Sequence, residues 1–228
     1  MSWQSLKRLA SRMPQGWQLE LNRHRYRRQI ARGAFATDEP EYALLNSLLD
    51  EGDWAIDVGA NIGHYVKRLS ELVGANGRVI AFEPVAETFS LLAANVQHCR
   101  LQNVTLLNTA ASEHTGITGI SIPRFENGLL NYYEASVGHG NGGVPVMTLS
   151  IDSLCLPHCV RLVKIDAEGH ELEVLKGMTQ LLARDKPVLI VEANCGQVDA
   201  FLASLDYTIQ SLPNSPNHIY CAGNSLVT

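Results

Sequence analysis

The block "KIDAEGHE", from Lys164 to Glu171, brings a cation, two carboxylates and an imidazole together in Lys164, Asp166, Glu168 and His170. Such a set can hold a positively charged ligand and take a proton from a hydroxyl group. The block continues an apolar run, so strand alternation sends Lys164 and Asp166 to one face and leaves Glu168 and His170 in the turn before a helix. A base positioned there would add about 10² to 10⁴ to the rate of attack by a protonated alcohol. A structural account competes with this one. Glu168 and Glu171 suit the first turn of a helix, and Lys164 suits the neutralisation of a buried carboxylate.

A second cluster lies in "AIDVGANIGHYV", which starts at Ala55. Asp57 precedes a turn built from Gly59, Ala60, Asn61 and Gly63, and the helix that follows offers free N–H groups to an anion. The run lacks the G-x-G-x-x-G spacing of a dinucleotide site, which argues against a pyrophosphate. Glu83 closes the next apolar run, "GRVIAFEP", where an acid accepts hydrogen bonds from two ribose hydroxyls. An adenosine joined to an amino acid fits both places, and S-adenosylmethionine is such a molecule. Its carboxylate suits the helix N-terminus, its ammonium and sulfonium suit Asp57 and Asp166, and its ribose suits Glu83. The chemistry expected is methyl transfer, an in-line displacement that needs reacting atoms about 3 Å apart.

Other residues sit on the same rim. Glu192 ends "PVLIVE" and is a candidate for acceptor binding or, with Asp166 and Glu168, for a Mg²⁺ site. The irregular stretch from Ser112 to Met147 carries Tyr132, Tyr133 and His139, candidates to line the acceptor pocket, with His139 a further candidate base. A small β-excursion with surface aromatics is the competing reading. Cys155, His158 and Cys159 in "CLPHC" lack the second ligand pair that a structural zinc site requires.

The elements that must position these residues alternate along the chain. The helical face of Tyr42, Leu45, Leu48 and Leu49 leads into the strand "WAIDV", then a helix with Ile62, Val66, Leu69 and Val73, then the strand "RVIAF". A helix on Val85, Phe89, Leu92 and Val96, a third strand in "NVTLLNTAAS", a fourth in "RLVKID", one helix over "ELEVLKGMTQLLARD" and a fifth strand in "PVLIVE" follow. The tail reads as an antiparallel hairpin. Right-handed crossovers assemble this order into an α/β fold, an open, doubly wound, mostly parallel sheet with ligands at the carboxyl ends of its strands.

With 228 residues and 46% hydrophobic content, the chain suits one domain with a substantial core. The expected organisation is a basic arm over residues 1–40 and a catalytic domain over 41–228. Up to Arg32 there are eight basic residues and a single acid, Glu20, whereas the whole chain carries −5. The arm therefore suits an anionic surface, a phosphorylated substrate or the chain's own acidic body. No nucleic-acid motif accompanies it, and DNA is not an expected partner. No run reaches the roughly 18 apolar residues of a membrane span. Five scattered cysteines suit reduced thiols and a cytoplasmic setting.

"IDVGANIGHYV", "VIAFEPVAETFSLLAANV", "NVTLLNTAAS", "TLSIDSL", "RLVKIDAEGHELEVLKGM" and "PVLIVE" together resemble the FkbM family of methyltransferases, from about Glu41 to Glu192. The resemblance implies a class I methyltransferase (Rossmann-like) fold with a seven-stranded sheet. It also implies methyl transfer to a hydroxyl of a small molecule such as a sugar, a glycolipid or a secondary metabolite. By position, Asp57, Gly59, Asn61 and Gly63 match the family's cofactor loop, Glu83 its ribose acid, and Ala110 its adenine contact. The assignment expected is that Asp166 holds the cofactor's cationic end while Glu168 or His170 receives the acceptor's proton. Three readings stay open beside it: an N-methyltransferase on an amine, a nucleotide-binding oxidoreductase, and a non-catalytic S-adenosylmethionine-binding protein whose arm recruits a partner.

Overall fold

The computed structural model describes residues 14–123, 130–131, 135–138, 143–192 and 196–223. Helices α1 (Gln15–Ala31) and α2 (Pro40–Leu48) precede a β-α-β-α-β series. That series comprises β1 (Trp54–Val58), α3 (His64–Val73), β2 (Arg78–Phe82), α4 (Ala86–His98) and β3 (Val104–Leu107). An excursion follows, with β4 (Ala110–Ala111), β5 (Gly116–Ser121), β6 (Ser136–Gly138) and β7 (Val144–Leu149). The chain then returns through β8 (Val160–Ile165), α5 (Glu171–Lys176), α6 (Thr179–Asp185), β9 (Val188–Glu192), α7 (Gly196–Ala203), β10 (Tyr207–Ser211) and β11 (Asn217–Ala222).

Seven strands form the main sheet in the order β10-β11-β9-β8-β1-β2-β3. All pairs are parallel except those of β11 with β10 and with β9. The strand order reverses between β1 and β8, and at such a switch point the two outgoing connections diverge and open a crevice. Alternation along the strands separates two cores. Ile56, Val58, Ile80, Phe82, Val163 and Ile165 pack under α5, α6 and α7. Ala55, Val79, Ala81 and Leu162 pack on the other face, with Leu45 of α2 and Val66 and Leu69 of α3. Asp57, Lys164 and Asp166 fall in phase with Ala55 and Leu162, so the charged residues share the α3 face of the sheet.

In two places the elements divide where apolar periodicity alone continues. The third strand stops at Leu107, because the Asn108 side-chain amide donates to the carbonyls of Glu83 at 2.8 Å and Pro84 at 3.1 Å. Ala110 and Ala111 then enter a second sheet, ordered β4-β7-β5-β6, which is the form the irregular stretch takes. The run from Glu171 to Asp185 is two helices. Its break falls at Gly177, where a Cβ would overlap the backbone carbonyl of Ser112.

The N-terminal segment is folded against the body. Tyr26 of α1, Phe35, Ile62 and Leu91 form a small third core, and the Arg23 guanidinium donates to Ser90 Oγ of α4 at 2.6 Å.

Candidate active site

The carboxyl ends of β1, β2 and β8 open into one cavity of about 240 Å³. Asp57, Gly59, Asn61, Glu83, Ala110, Lys164, Asp166, Glu168 and His170 line it, so nine of the residues singled out in the sequence converge there. Gly63 caps α3 just behind the wall, with φ +98°. Tyr132, Tyr133 and His139 lie outside the described residues.

The turn after β1 is set by packing as much as by any ligand. Gly59 has φ +76°, and a Cβ there would overlap the carbonyl oxygen of Asp166. Gly59 and Ala60 both donate to the Phe82 carbonyl, at 3.0 and 2.9 Å. Asn61 adopts φ +49°, a left-handed conformation in which asparagine is several-fold enriched. That turn aims the Asn61 N–H at Glu83 Oε2, 2.9 Å away, while the Val85 N–H meets Oε1 at 2.9 Å. Each carboxylate oxygen of Glu83 has a second lone pair open to a further donor. Burial pushes the Glu83 carboxyl up to about 7, against the lowering effect of those two N–H bonds.

Asp57 is wholly buried, and neither of its carboxylate oxygens has a hydrogen-bond partner among the described residues. Desolvation raises its carboxyl to about 6, although Lys164 pulls it down. Unmatched buried charge is unfavourable, and here it faces a cavity. Lys164 is 4% exposed; its ammonium donates to Asp166 Oδ2 at 2.9 Å and lies 4.7 Å from the centre of the Tyr65 ring. Asp166 is held below the usual carboxylate range: Lys164 and a hydrogen bond with Glu192 outweigh its burial. Burial and the bond to Asp166 hold the Glu192 carboxyl up at about 7. Asp166, Glu168 and Glu192 each offer an oxygen within 4.8 Å of the others.

His170 is buried at the start of α5, with Nε2 hydrogen-bonded to Ser112 Oγ at 2.9 Å and Nδ1 3.7 Å from Glu173 Oε2. The turn before it is held by Glu171, which accepts from the N–H groups of Ala167 at 3.1 Å and Gly169 at 2.9 Å. Glu171 therefore builds the loop, and Glu168, with φ +51°, projects from it into the cavity.

Periodicity and motif spacing miss three residues. Thr37 and Glu39 close the cavity from the N-terminal side, and Tyr65, whose hydroxyl donates to Glu39 Oε2 at 2.5 Å, joins them to the Lys164 face. Tyr65 reads as one more apolar position of α3, and Glu39 stands outside every β-α unit. Only the proline after it, which suits the first turn of a helix, hints that the segment is ordered.

A family model described as the methyltransferase FkbM domain matches residues 57–209. The hexuronic acid methyltransferase AglP of Haloferax volcanii is 33% identical over 156 residues, which are 67% of this chain and 61% of that protein. The chain thus spans less than two thirds of that relative's length. Among solved structures, the methyltransferase FkbM of Methylobacillus flagellatus KT aligns with a TM-score of 0.56 at 20% identity, over 74% of this chain and 43% of its own. The fibrillarin of Aeropyrum pernix, solved with natively bound S-adenosyl-L-methionine, aligns with a TM-score of 0.50 at 13% identity, over 80% and 73%. At these identities the solved structures speak for the methyltransferase-like α/β fold.

Proposed function

The chain belongs to the FkbM methyltransferase family, and on that premise we propose that it moves a methyl group from S-adenosylmethionine to a hydroxyl of a sugar acceptor. The observation that carries the reading is a pair of acids on one cavity wall: Asp57, buried with no hydrogen-bond partner among the described residues, and Glu83, with lone pairs to spare. An unpartnered carboxylate suits an ammonium or sulfonium, and Glu83 suits the two ribose hydroxyls. Ala110, with Ala111 and Ile120, supplies an apolar wall for adenine. Bound there, the cofactor supplies an electrophilic methyl group on a sulfonium.

The chain's own part is to orient the acceptor and receive its proton. Asp166, kept ionised by Lys164, faces the cationic end of the cofactor and is a poor base for that reason. Glu192 stands behind the cavity-lining residues with a carboxylate oxygen within 4.8 Å of those of Asp166 and Glu168, and its raised carboxyl suits a proton acceptor there. Glu168, beside it on the rim, shares the acceptor, and His170 fixes the Ser112 edge of the cavity. The same carboxylates have the donor chemistry for Mg²⁺, yet the Lys164 ammonium already neutralises Asp166, so the proposed step uses no metal. The hexuronic acid methyltransferase relative favours a uronic acid as the sugar.

The test incubates the protein with methyl-labelled S-adenosylmethionine and a panel of uronic acid glycosides, neutral glycosides and amino sugars. The reading expects an O-methyl uronate, together with S-adenosylhomocysteine binding that Glu83→Gln weakens. Methylation confined to amines would replace it with the N-methyltransferase reading. Absence of S-adenosylhomocysteine binding would remove the cofactor assignment.

A further inference from the structure

Helix α1 has two faces of different chemistry. Leu19, Tyr26 and Ile30 turn inward onto Phe35, Ile62 and Leu91, with Arg23 bound to Ser90. At helical spacing, Trp17, Leu21, His24, Arg25, Arg28 and Arg32 make a single stripe on the opposite side. Trp17 is 66% and Leu21 53% exposed, large apolar side chains in water at the same end of the helix. Among the described residues, no carboxylate pairs with Arg25, Arg27, Arg28 or Arg32; the helix's one acid, Glu20, is taken by Arg23.

We infer that the outward face of α1 docks on an anionic lipid bilayer. Charge complementarity favours that occupant. The arginines attract a negative headgroup layer, while the excess of acids in the rest of the chain is repelled by it, which favours approach by this face. Trp17 and Leu21 fit the apolar side of the same boundary, where an amphipathic indole is favoured. No helix among the described residues is long and apolar enough to cross a membrane, so the mode is one of lying on the surface. RNA would use the arginines but leave Leu21 without a partner. Tyr26 packs edge-on against Phe35 and Phe35 against His64, which lines the cavity, so docking through α1 also brings the cavity close to the bilayer.

The experiment is flotation of the full chain with vesicles of neutral phosphatidylcholine, alone or with about a third phosphatidylglycerol. Binding is expected only to the anionic vesicles and is expected to fall with added salt. The triple variant Arg25→Glu/Arg28→Glu/Arg32→Glu should bind at least about tenfold more weakly. Trp17→Ser/Leu21→Ser should weaken binding while the salt dependence stays, and both variants should keep the wild-type circular dichroism and Tm, since the face is exposed. Failure to bind anionic vesicles, equal binding to neutral ones, or unchanged binding by the triple variant would overturn the inference. So would competition by single-stranded RNA that leaves no vesicle-bound protein at matched phosphate concentration. None of these readouts needs turnover, so they stand apart from the proposed reaction.

Discussion

The backbone carbonyl of Asp166 occupies the space that a side chain on Gly59 would need, and the Asp166 N–H donates to the Val58 carbonyl at 3.1 Å. The turns after β1 and β8 are thereby one unit: Gly59, which lets the loop after β1 turn, also lets Asp166 sit at its observed height. Gly59→Ala is expected to lower stability by at least about 2 kcal/mol, through both a positive φ and the overlap, and to abolish S-adenosylhomocysteine binding. Gly169→Ala is the control, since Gly169 also has positive φ but open space around it. It should lose only about 1 kcal/mol. Thermal melts and calorimetric titration of both variants decide the matter.

Asp57 should trade stability for binding. Its carboxyl is raised to about 6 from the ordinary 3.8, so the folded state holds the proton more tightly than the unfolded chain. The associated stability is full below about pH 4 and lost as the pH rises through about 6. At pH 8 the buried anion therefore opposes folding, and Asp57→Asn should stabilise the apoprotein by on the order of 2 kcal/mol there, with little gain at pH 4. The same change should weaken S-adenosylhomocysteine binding about tenfold or more, by removing a charged partner for its ammonium. A variant that gains no stability at pH 8 would show that Lys164 already neutralises the anion.

Glu192 should set the acidic limb of the rate. A base with a carboxyl near 7 is protonated below that pH, so kcat should rise with pH and level off above about 7. Glu83 also titrates near 7, but it bears on cofactor binding, and kcat measured with both substrates saturating reports the loaded enzyme. Glu192→Gln is expected to lower kcat at pH 8 by about 10² and to remove the limb. Persistence of the limb in that variant would move the proton to Glu168 or His170.

These predictions rest on residues of unequal visibility. Asp57, Gly59, Asn61 and Glu83 can be read from the chain because β-α-β grammar puts short polar motifs at strand ends, where long-range packing has little choice. Lys164 and Asp166 are legible for the same reason, by alternation. Their pairing follows from the reading of Lys164 as the neutraliser of a buried carboxylate, but the Tyr65 ring that closes over the Lys164 ammonium does not show in the sequence. The β-excursion between Ser112 and Met147 is one of two readings of that stretch, and its strand order is not legible, because its glycines blur period-2 alternation; the break at Gly177 is hidden because a carbonyl from Ser112, 65 residues earlier, lies against it. Glu39 and Thr37 reach the cavity only through tertiary folding of a segment with no motif.

Glu41 is the extreme case and gives the last prediction. In sequence it is an acid in the first turn of α2, a place where the helix dipole alone accounts for it. In the fold it is wholly buried and accepts from Ser215 Oγ at 2.8 Å, from Asn217 Nδ2 and from Tyr65 Oη at 3.3 Å, so it ties α2 and α3 to the β10–β11 hairpin. Glu41→Ala strands the buried Asn217 amide and removes the acceptor of Ser215, while Tyr65 keeps Glu39. A loss of roughly 2 to 4 kcal/mol is expected, measured by denaturant titration. Glu41→Gln keeps an acceptor oxygen and should recover part of it. Because Tyr65 also bonds Glu39 beside the cavity, the alanine variant should weaken S-adenosylhomocysteine binding as well, although Glu41 does not line the site. Binding unchanged in a destabilised Glu41→Ala protein would show that the hairpin and the cavity are energetically separate.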